Sequence, residues 1–189
     1  TCALPISRAA VWRQTTERLF VDRVVPRLRT YLAGGDWVEG WQYGALAALS
    51  LVAFVDVEKT AFGRDRLPEL PWVRDLVPGH THLLLPSGEH YPSGDWSRRP
   101  ARLGGSLFDL VALTLPEGDP LVPEARFLAR TLRANDAPWD WLEVLADEPG
   151  LPAVDPRRGP TSHLMPGLGV ALARSAWSRD AVFAAFESG

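Results

Sequence analysis

The chain has 189 residues, 46% of them hydrophobic and 23% charged, and a formal net charge of -3, which is the composition of a globular protein with a substantial core. This slightly acidic balance gives no electrostatic case for binding nucleic acid or an anionic membrane, and no apolar stretch reaches the roughly 20 residues that a membrane-spanning helix needs. The single cysteine, Cys2, excludes an internal disulfide framework and a cysteine-based zinc site.

The first three quarters of the chain is predicted to be helical. Apolar residues at helical spacing indicate a helix from about residue 7 to 33, kinked or split at Pro26. Gly34 and Gly35 end this helix, and a nearly all-buried helix is expected from about Val38 to Ala61. Further helices are predicted over residues 72–85, 101–115, 120–133 and 139–146, separated by loops rich in turn-forming residues.

The sequence pattern changes at about residue 147. Four prolines within residues 147–160 indicate a linker, which we extend to residues 147–165. It separates a helical domain, 7–146, from a β region, 166–189, in which two short apolar runs flank a turn and predict a β-hairpin. Because the chain opens on Thr1 and stops directly after a strand-like run, we expect it to be a fragment of a longer protein.

The ten residues from Gly35 to Gly44 carry the strongest functional signal. Two tryptophans, two carboxylates and a phenol lie among glycines at the junction of two predicted helices. If the second helix starts near Val38, Glu39 and Tyr43 lie one turn apart on one face. A carboxylate beside a phenol can hold a sugar or move a proton, and the eight tryptophans of the chain suit the stacking of sugar rings.

Three segments, 35–44, 84–96 and 169–189, carry a resemblance to a known family. The first is similar to the Gly-x-Trp-x-Glu-Gly-x-x-Tyr pattern of the heparinase II/III-like polysaccharide lyases and their oligoalginate lyase relatives. The second resembles a loop between later helices of that family, and the third resembles the opening hairpin of its sandwich domain. The resemblance implies a mainly α chain, in which a partial (α/α) toroid of antiparallel helical hairpins precedes the first β-hairpin of an antiparallel β-sandwich.

The chemistry that this resemblance implies is β-elimination at a uronic acid unit. A base removes the proton alpha to the sugar carboxylate, and an acid protonates the departing glycosidic oxygen. Tyr43 matches the family's tyrosine that serves as acid, base or both; the acid role needs less tuning, since a basic phenol requires cationic neighbours. No metal or cofactor is expected. The side chains expected to contact the acidic polysaccharide or oligosaccharide are Trp37, Glu39, Trp41, Asp95 and Trp96.

Other readings remain open at this point. The family's carboxylate neutraliser and its sandwich histidine have no counterpart here, so the chain alone is expected to be inactive as a lyase. Family members are usually periplasmic or secreted, but no targeting signal is visible in this sequence, and the localisation stays open. Glu39 and Asp95 could instead be the paired carboxylates of a toroid glycoside hydrolase, or the chain could be a non-catalytic carbohydrate-binding or scaffold module. Tyr43 could also be a core tyrosine, and Glu39 a carboxylate placed at a helix start by the helix dipole.

The histidines indicate no metal centre. His80 and His82 are two residues apart, so on a helix they point in different directions, and no third ligand follows at a recognisable spacing. His163 falls in the predicted linker and is expected to be exposed.

Overall fold

A computed structural model describes residues 6–94, 104–133, 141–146 and 150–188 of the chain. It begins with α1 (Ile6–Leu19), a π-helical segment (Phe20–Val24) and α2 (Val25–Tyr31). Pro26 lies in the first turn of α2, where its missing N–H is not needed for the helix. The break predicted at this proline therefore takes the form of a π-helical turn before it.

The long helix α3 (Trp41–Phe62) starts three residues later than predicted. The segment before it forms a turn instead, closed by the amide of Gly40, which donates to the carbonyl oxygen of Trp37 at 2.8 Å. Gly40 has a φ of +81°, which favours glycine. At the other end Gly63 is left-handed, with a φ of +67°, and its amide donates to the carbonyl oxygen of Lys59.

After a short 3-10 turn (Leu67–Glu69) in the predicted loop, the remaining helices follow in the predicted order: α4 (Trp72–Leu83), α5 (Gly104–Thr114), α6 (Leu121–Thr131) and α7 (Trp141–Ala146). Helix α5 packs most extensively against α6, to which a short loop joins it. It also packs against α3 and α7, and α4 packs against α6, so that helices contact their next-but-one neighbours along the chain. The largest side chains buried between them are Trp41, Trp72 and Phe108.

The C-terminal region is a three-stranded antiparallel sheet in the order β1-β2-β3. Its strands are β1 (Ser162–Met165), β2 (Val170–Arg174) and β3 (Phe183–Glu187). The predicted hairpin corresponds to β2 and β3, whereas β1 lies inside the segment predicted as a linker. The chain is therefore mainly α with a small antiparallel sheet, as predicted. None of the helices in the described ranges is long and apolar enough to cross a membrane.

The sheet lies against α4 and against the end of α2. On its inner face Met165, Val170 and Leu172 are buried in a cluster with Leu83 of α4. The turn between β1 and β2 is fixed by the amide of Gly167, which donates to the carbonyl oxygen of Ala33 at 3.1 Å. The sheet is thereby placed next to the loop that joins α2 to α3.

Candidate functional site

The loop between α2 and α3 touches the loop after α4 backbone to backbone. A Cβ atom added to Gly40 would collide with the carbonyl oxygen of Ser93, and one added to Gly94 would collide with the carbonyl carbon of Glu39. Only glycine allows so close an approach from both sides. The 35–44 segment and the second segment of the resemblance are thus in direct contact as far as Gly94, and Asp95 and Trp96 lie outside the described residues.

Tyr43 lies in the first turn of α3 and is 52% exposed. Its ring is therefore not a core side chain, and it can be reached from solvent. Glu39 is also exposed, but it lies in the turn before α3 rather than on the helix one turn before Tyr43. The expected pairing of these two side chains on one helix face is wrong, because the turn that ends at Gly40 delays the start of the helix.

Trp37 holds Glu39 in place from within the same turn. Its indole Nε1–H donates to Oε2 of Glu39 at 3.1 Å. The indole is half-buried, and it packs over Gly44, where an added Cβ would come within 2.5 Å of the Trp37 Cβ. The glycine one residue after Tyr43 therefore makes room for the side chain that orients Glu39.

Trp41 is buried and offers no ring face to a ligand. It is 1% exposed, with its ring centroid 3.9 Å from that of His80 and 4.8 Å from that of His90, the latter pair stacked. Phe108 of α5 lies beyond them. The sugar contact expected for Trp41 is therefore not available in this structure, and the observed role of the indole is to fill the helical core.

The two histidines under Trp41 form a buried hydrogen-bonded pair. Nδ1 of His80 lies 3.0 Å from Nε2 of His90, and Nδ1 of His90 lies 3.1 Å from the carbonyl oxygen of Tyr91. Burial lowers the pKa of His90 to about 4 and holds the pKa of His80 well below its ordinary value. Both rings are therefore neutral near pH ~7. Because the Tyr91 carbonyl can only accept, His90 donates from Nδ1 and accepts the Nδ1–H of His80.

His82 points away from this pair, as its spacing from His80 predicted. Its ring stacks on that of His163 with 5.0 Å between centroids. His163 is not exposed in a linker: it is half-buried on β1, and its Nε2 donates to the carbonyl oxygen of Gly34 at 2.9 Å. Burial, with His163 and Arg174 nearby, lowers the pKa of His82 to about 4. Within the described ranges no group of three or more His, Cys, Asp or Glu residues could hold a metal ion.

Arg174 joins the sheet to the end of α4. It is 8% exposed, and its Nη2 donates to the carbonyl oxygens of His82 and Leu84 at 2.6 and 2.8 Å. The guanidinium lies 4.0 Å from the centroid of the Trp177 ring. A cation at this point satisfies carbonyls at the C-terminus of α4. Sequence reasoning noted Arg174 only as part of the hairpin, and nothing local to it predicts this contact.

Asp36 is a buried carboxyl that sequence reasoning did not single out. It is 3% exposed, and it accepts the amide of Trp37 at 2.8 Å and the hydroxyl of Ser93 at 3.4 Å. Burial, with a smaller contribution from Glu187, raises the pKa of Asp36 to about 6 despite these two hydrogen bonds. The phenol of Tyr91 in turn donates to Oε1 of Glu187 at 3.1 Å. Asp36 therefore links the 35–44 segment to the loop after α4 through Ser93.

A concavity lies on the outer face of the sheet. It has a volume of about 520 Å³ and is lined by all three strands, including Leu164, Ala171 and Phe186. No residue of the 35–44 segment lines it. Its walls are mainly apolar, and its size alone does not assign it a ligand.

Comparison of the chain with models of protein families, with curated proteins and with solved structures found no significant match.

Proposed function

We propose that this chain is part of a polysaccharide lyase that cleaves a uronic-acid-containing polysaccharide or oligosaccharide by β-elimination. The observation that carries the proposal is the accessible phenol of Tyr43, which is 52% exposed in the first turn of α3. A tyrosine that served only the core would be expected to be buried. Glu39, a carboxylate held by an indole in the turn that precedes the same helix, supports a site that handles sugar hydroxyls and protons.

The helix packing supports the corresponding scaffold, a partial (α/α) toroid. Contacts of α5 with α3 and α7, and of α4 with α6, separate the helices into two sets that alternate along the chain. This is the arrangement expected when antiparallel hairpins are placed side by side to form an inner and an outer layer. In the same proposal the strands β1, β2 and β3 belong to the antiparallel β-sandwich.

Tyr43 is assigned the role of the acid in this mechanism. Its phenol donates a proton to the glycosidic oxygen as the bond to the leaving sugar breaks. Glu39 accepts hydrogen bonds from sugar hydroxyls, and Trp37 keeps its carboxylate in position through the 3.1 Å bond from Nε1. Trp41 has no part in binding, because it is buried. The proposal assigns neither the base nor the group that neutralises the uronate to a described residue.

The test measures lyase activity of the protein that contains this chain on a panel of uronic-acid polysaccharides. Elimination leaves an unsaturated uronate, which absorbs in the ultraviolet and is identified by mass spectrometry. We expect Tyr43→Phe to lower kcat about 100-fold or more, the usual size of a general acid contribution, with a smaller change in KM. Tyr31→Phe is the matched control, since Tyr31 is 57% exposed on α2 and should keep full activity.

Other outcomes identify the competing functions. Saturated products, together with inactivation by Glu39→Gln, would indicate a glycoside hydrolase with paired carboxylates. Oligosaccharide binding without bond cleavage would indicate a binding module. Full activity in Tyr43→Phe rejects the assignment of Tyr43 as the acid.

A further inference from the structure

The carboxyl of Asp36 connects its own loop to a part of the chain that is distant in sequence. It accepts hydrogen bonds from the amide of Trp37, in its own loop, and from the hydroxyl of Ser93, in the loop after α4. Glu187 of β3, whose carboxylate accepts the phenol of Tyr91, adds a small unfavourable electrostatic contribution. A buried carboxyl group therefore lies directly before the turn from Trp37 to Gly40.

Among the residues that the structure describes, no cationic side chain offsets a charge on this carboxyl. The charged group of β3 that acts on it is another carboxylate, Glu187, which disfavours its ionisation. From α4, Asp75 is occupied by the amide of Gly34 at 3.1 Å, and His80, which lines the same small internal cavity as Asp36, is neutral. Ionisation of Asp36 would place a charge in a site that has two hydrogen-bond donors and a like charge, which is unfavourable in a low-dielectric environment.

We propose that Asp36 acts as a protonation-dependent latch on the turn that precedes α3. When its carboxyl is neutral, the turn stays closed against the loop after α4. When the carboxyl loses its proton, exposure to water stabilises the charged form, and the turn opens.

Linkage fixes the direction and the range of this effect. The pKa of Asp36 in the closed structure is about 6, against an ordinary value of 3.8, so the closed form binds the proton more tightly than the open one. Closure is therefore most stable below about pH 4 and weakens as the pH rises to about 6, above which no further change occurs. The ratio of open to closed turn rises about tenfold per pH unit within this range, or about 100-fold in total.

The consequence for function concerns Glu39 and Tyr43. Glu39 belongs to the turn itself, and Tyr43 lies just beyond Gly40, where the turn meets α3. Opening of the turn would displace the carboxylate of Glu39 from its position at the start of the helix that carries Tyr43. This consequence rests on the proposed function, whereas the latch itself depends only on the contacts of Asp36.

The experiment measures amide hydrogen exchange of Trp37 and Gly40 by NMR between about pH 4 and pH 7, corrected for the intrinsic pH dependence of exchange. We expect the protection of these two amides to fall about 100-fold in the wild-type protein as the pH rises. In Asp36→Asn the protection should stay constant, because Asn keeps the acceptor oxygen without the charge. Asp65→Asn is the matched control, since Asp65 is an exposed carboxylate that accepts the amide of Leu67, and it should behave as the wild type does.

Two further measurements keep the inference testable if Asp36→Asn does not fold. In the wild-type protein the ¹³C resonance of the Asp36 carboxyl should titrate with a midpoint near the pKa of about 6. In Glu187→Gln that midpoint should move to lower pH, because the like charge is gone. A midpoint near 3.8, the ordinary pKa, or protection that does not change with pH in the wild type, overturns the latch. Neither result affects the Tyr43→Phe assay, so the two proposals fail separately.

Discussion

The helices bury large aromatic side chains within their own packing, whereas the sheet is held to them by a small apolar cluster and a few polar contacts. Trp41, Trp72 and Phe108 are fully buried among the helices. The sheet contributes three buried apolar side chains to its cluster with Leu83, and it also depends on hydrogen bonds from Arg174 and His163. The helical part is thus stabilised mainly by burial of apolar area, and the position of the sheet depends on individual polar side chains.

Removal of the central indole should have the largest effect. Trp41→Ala leaves a cavity beneath α3 and exposes the His80–His90 pair, so we expect a loss of about 3–5 kcal/mol in the free energy of unfolding. Urea denaturation monitored by circular dichroism measures this loss in the free energy of unfolding. Trp12→Ala is the control, because Trp12 is 64% exposed on α1, and it should change stability by less than about 0.5 kcal/mol. Equal effects of the two changes would contradict the description of the helical core.

Acid should destabilise the helical core through His90. Its pKa is about 4 in the folded chain and 6.5 ordinarily, so the folded state binds fewer protons between these values. Stability is then full above about pH 6.5 and falls by about 3 kcal/mol as the pH drops to about 4. The test is to measure the unfolding free energy across this pH range. Its slope against pH should be smaller in His90→Gln than in the wild-type protein. The raised pKa of Asp36 makes stability fall as the pH rises, which partly cancels the effect of His90. The slope of the unfolding free energy against pH should therefore be steeper in Asp36→Asn than in the wild-type protein.

Loss of the buried arginine should weaken the attachment of the sheet. Arg174→Met removes two hydrogen bonds to carbonyls at the end of α4 but also removes a buried charge, and we expect a net loss of about 2 kcal/mol. Hydrogen exchange should increase in β1 and β2 more than in α5 or α6. Arg179→Met, at an exposed position between β2 and β3, should have no such effect, and a uniform increase over all helices would be evidence against a local role.

The smallest effect is expected on the outer face of the sheet. Phe186 is 71% exposed, so Phe186→Thr should change the free energy of unfolding by less than about 0.5 kcal/mol. Leu172→Ala, on the inner face of the same sheet, should lower it by about 2–4 kcal/mol. Thermal denaturation of both variants compares the two faces, and a large loss from Phe186→Thr would show that the outer face is covered in solution.

The sequence predicted the helices well because their apolar residues repeat with helical spacing. It placed the start of α3 too early, since the turn before α3 is held by contacts with Ser93 and Gly94, which are more than fifty positions away. It also missed β1, a strand of four residues of which only Met165 is fully buried. A strand of this length in a proline-rich segment has no periodicity that could be recognised.

The candidate site was predictable only in part. The grouping of Trp37, Glu39 and Tyr43 follows from sequence proximity, and the structure keeps these residues at one end of α3. Whether an indole in this segment faces solvent or the core is decided by its distant neighbours, which for Trp41 are His80, His90 and Phe108. Asp36 carries no local signal for the same reason, since Ser93 and Glu187 come from other parts of the chain.

The contact between Gly40 and Gly94 restricts how this region of the molecule can diversify. Because two main chains meet there without intervening side chains, neither glycine can be exchanged for a larger residue without separating the two loops, and an insertion into one loop demands a compensating change in the other. Sequence variation is therefore expected at exposed adjacent positions such as Val38, whose side chain can change without separating the two loops.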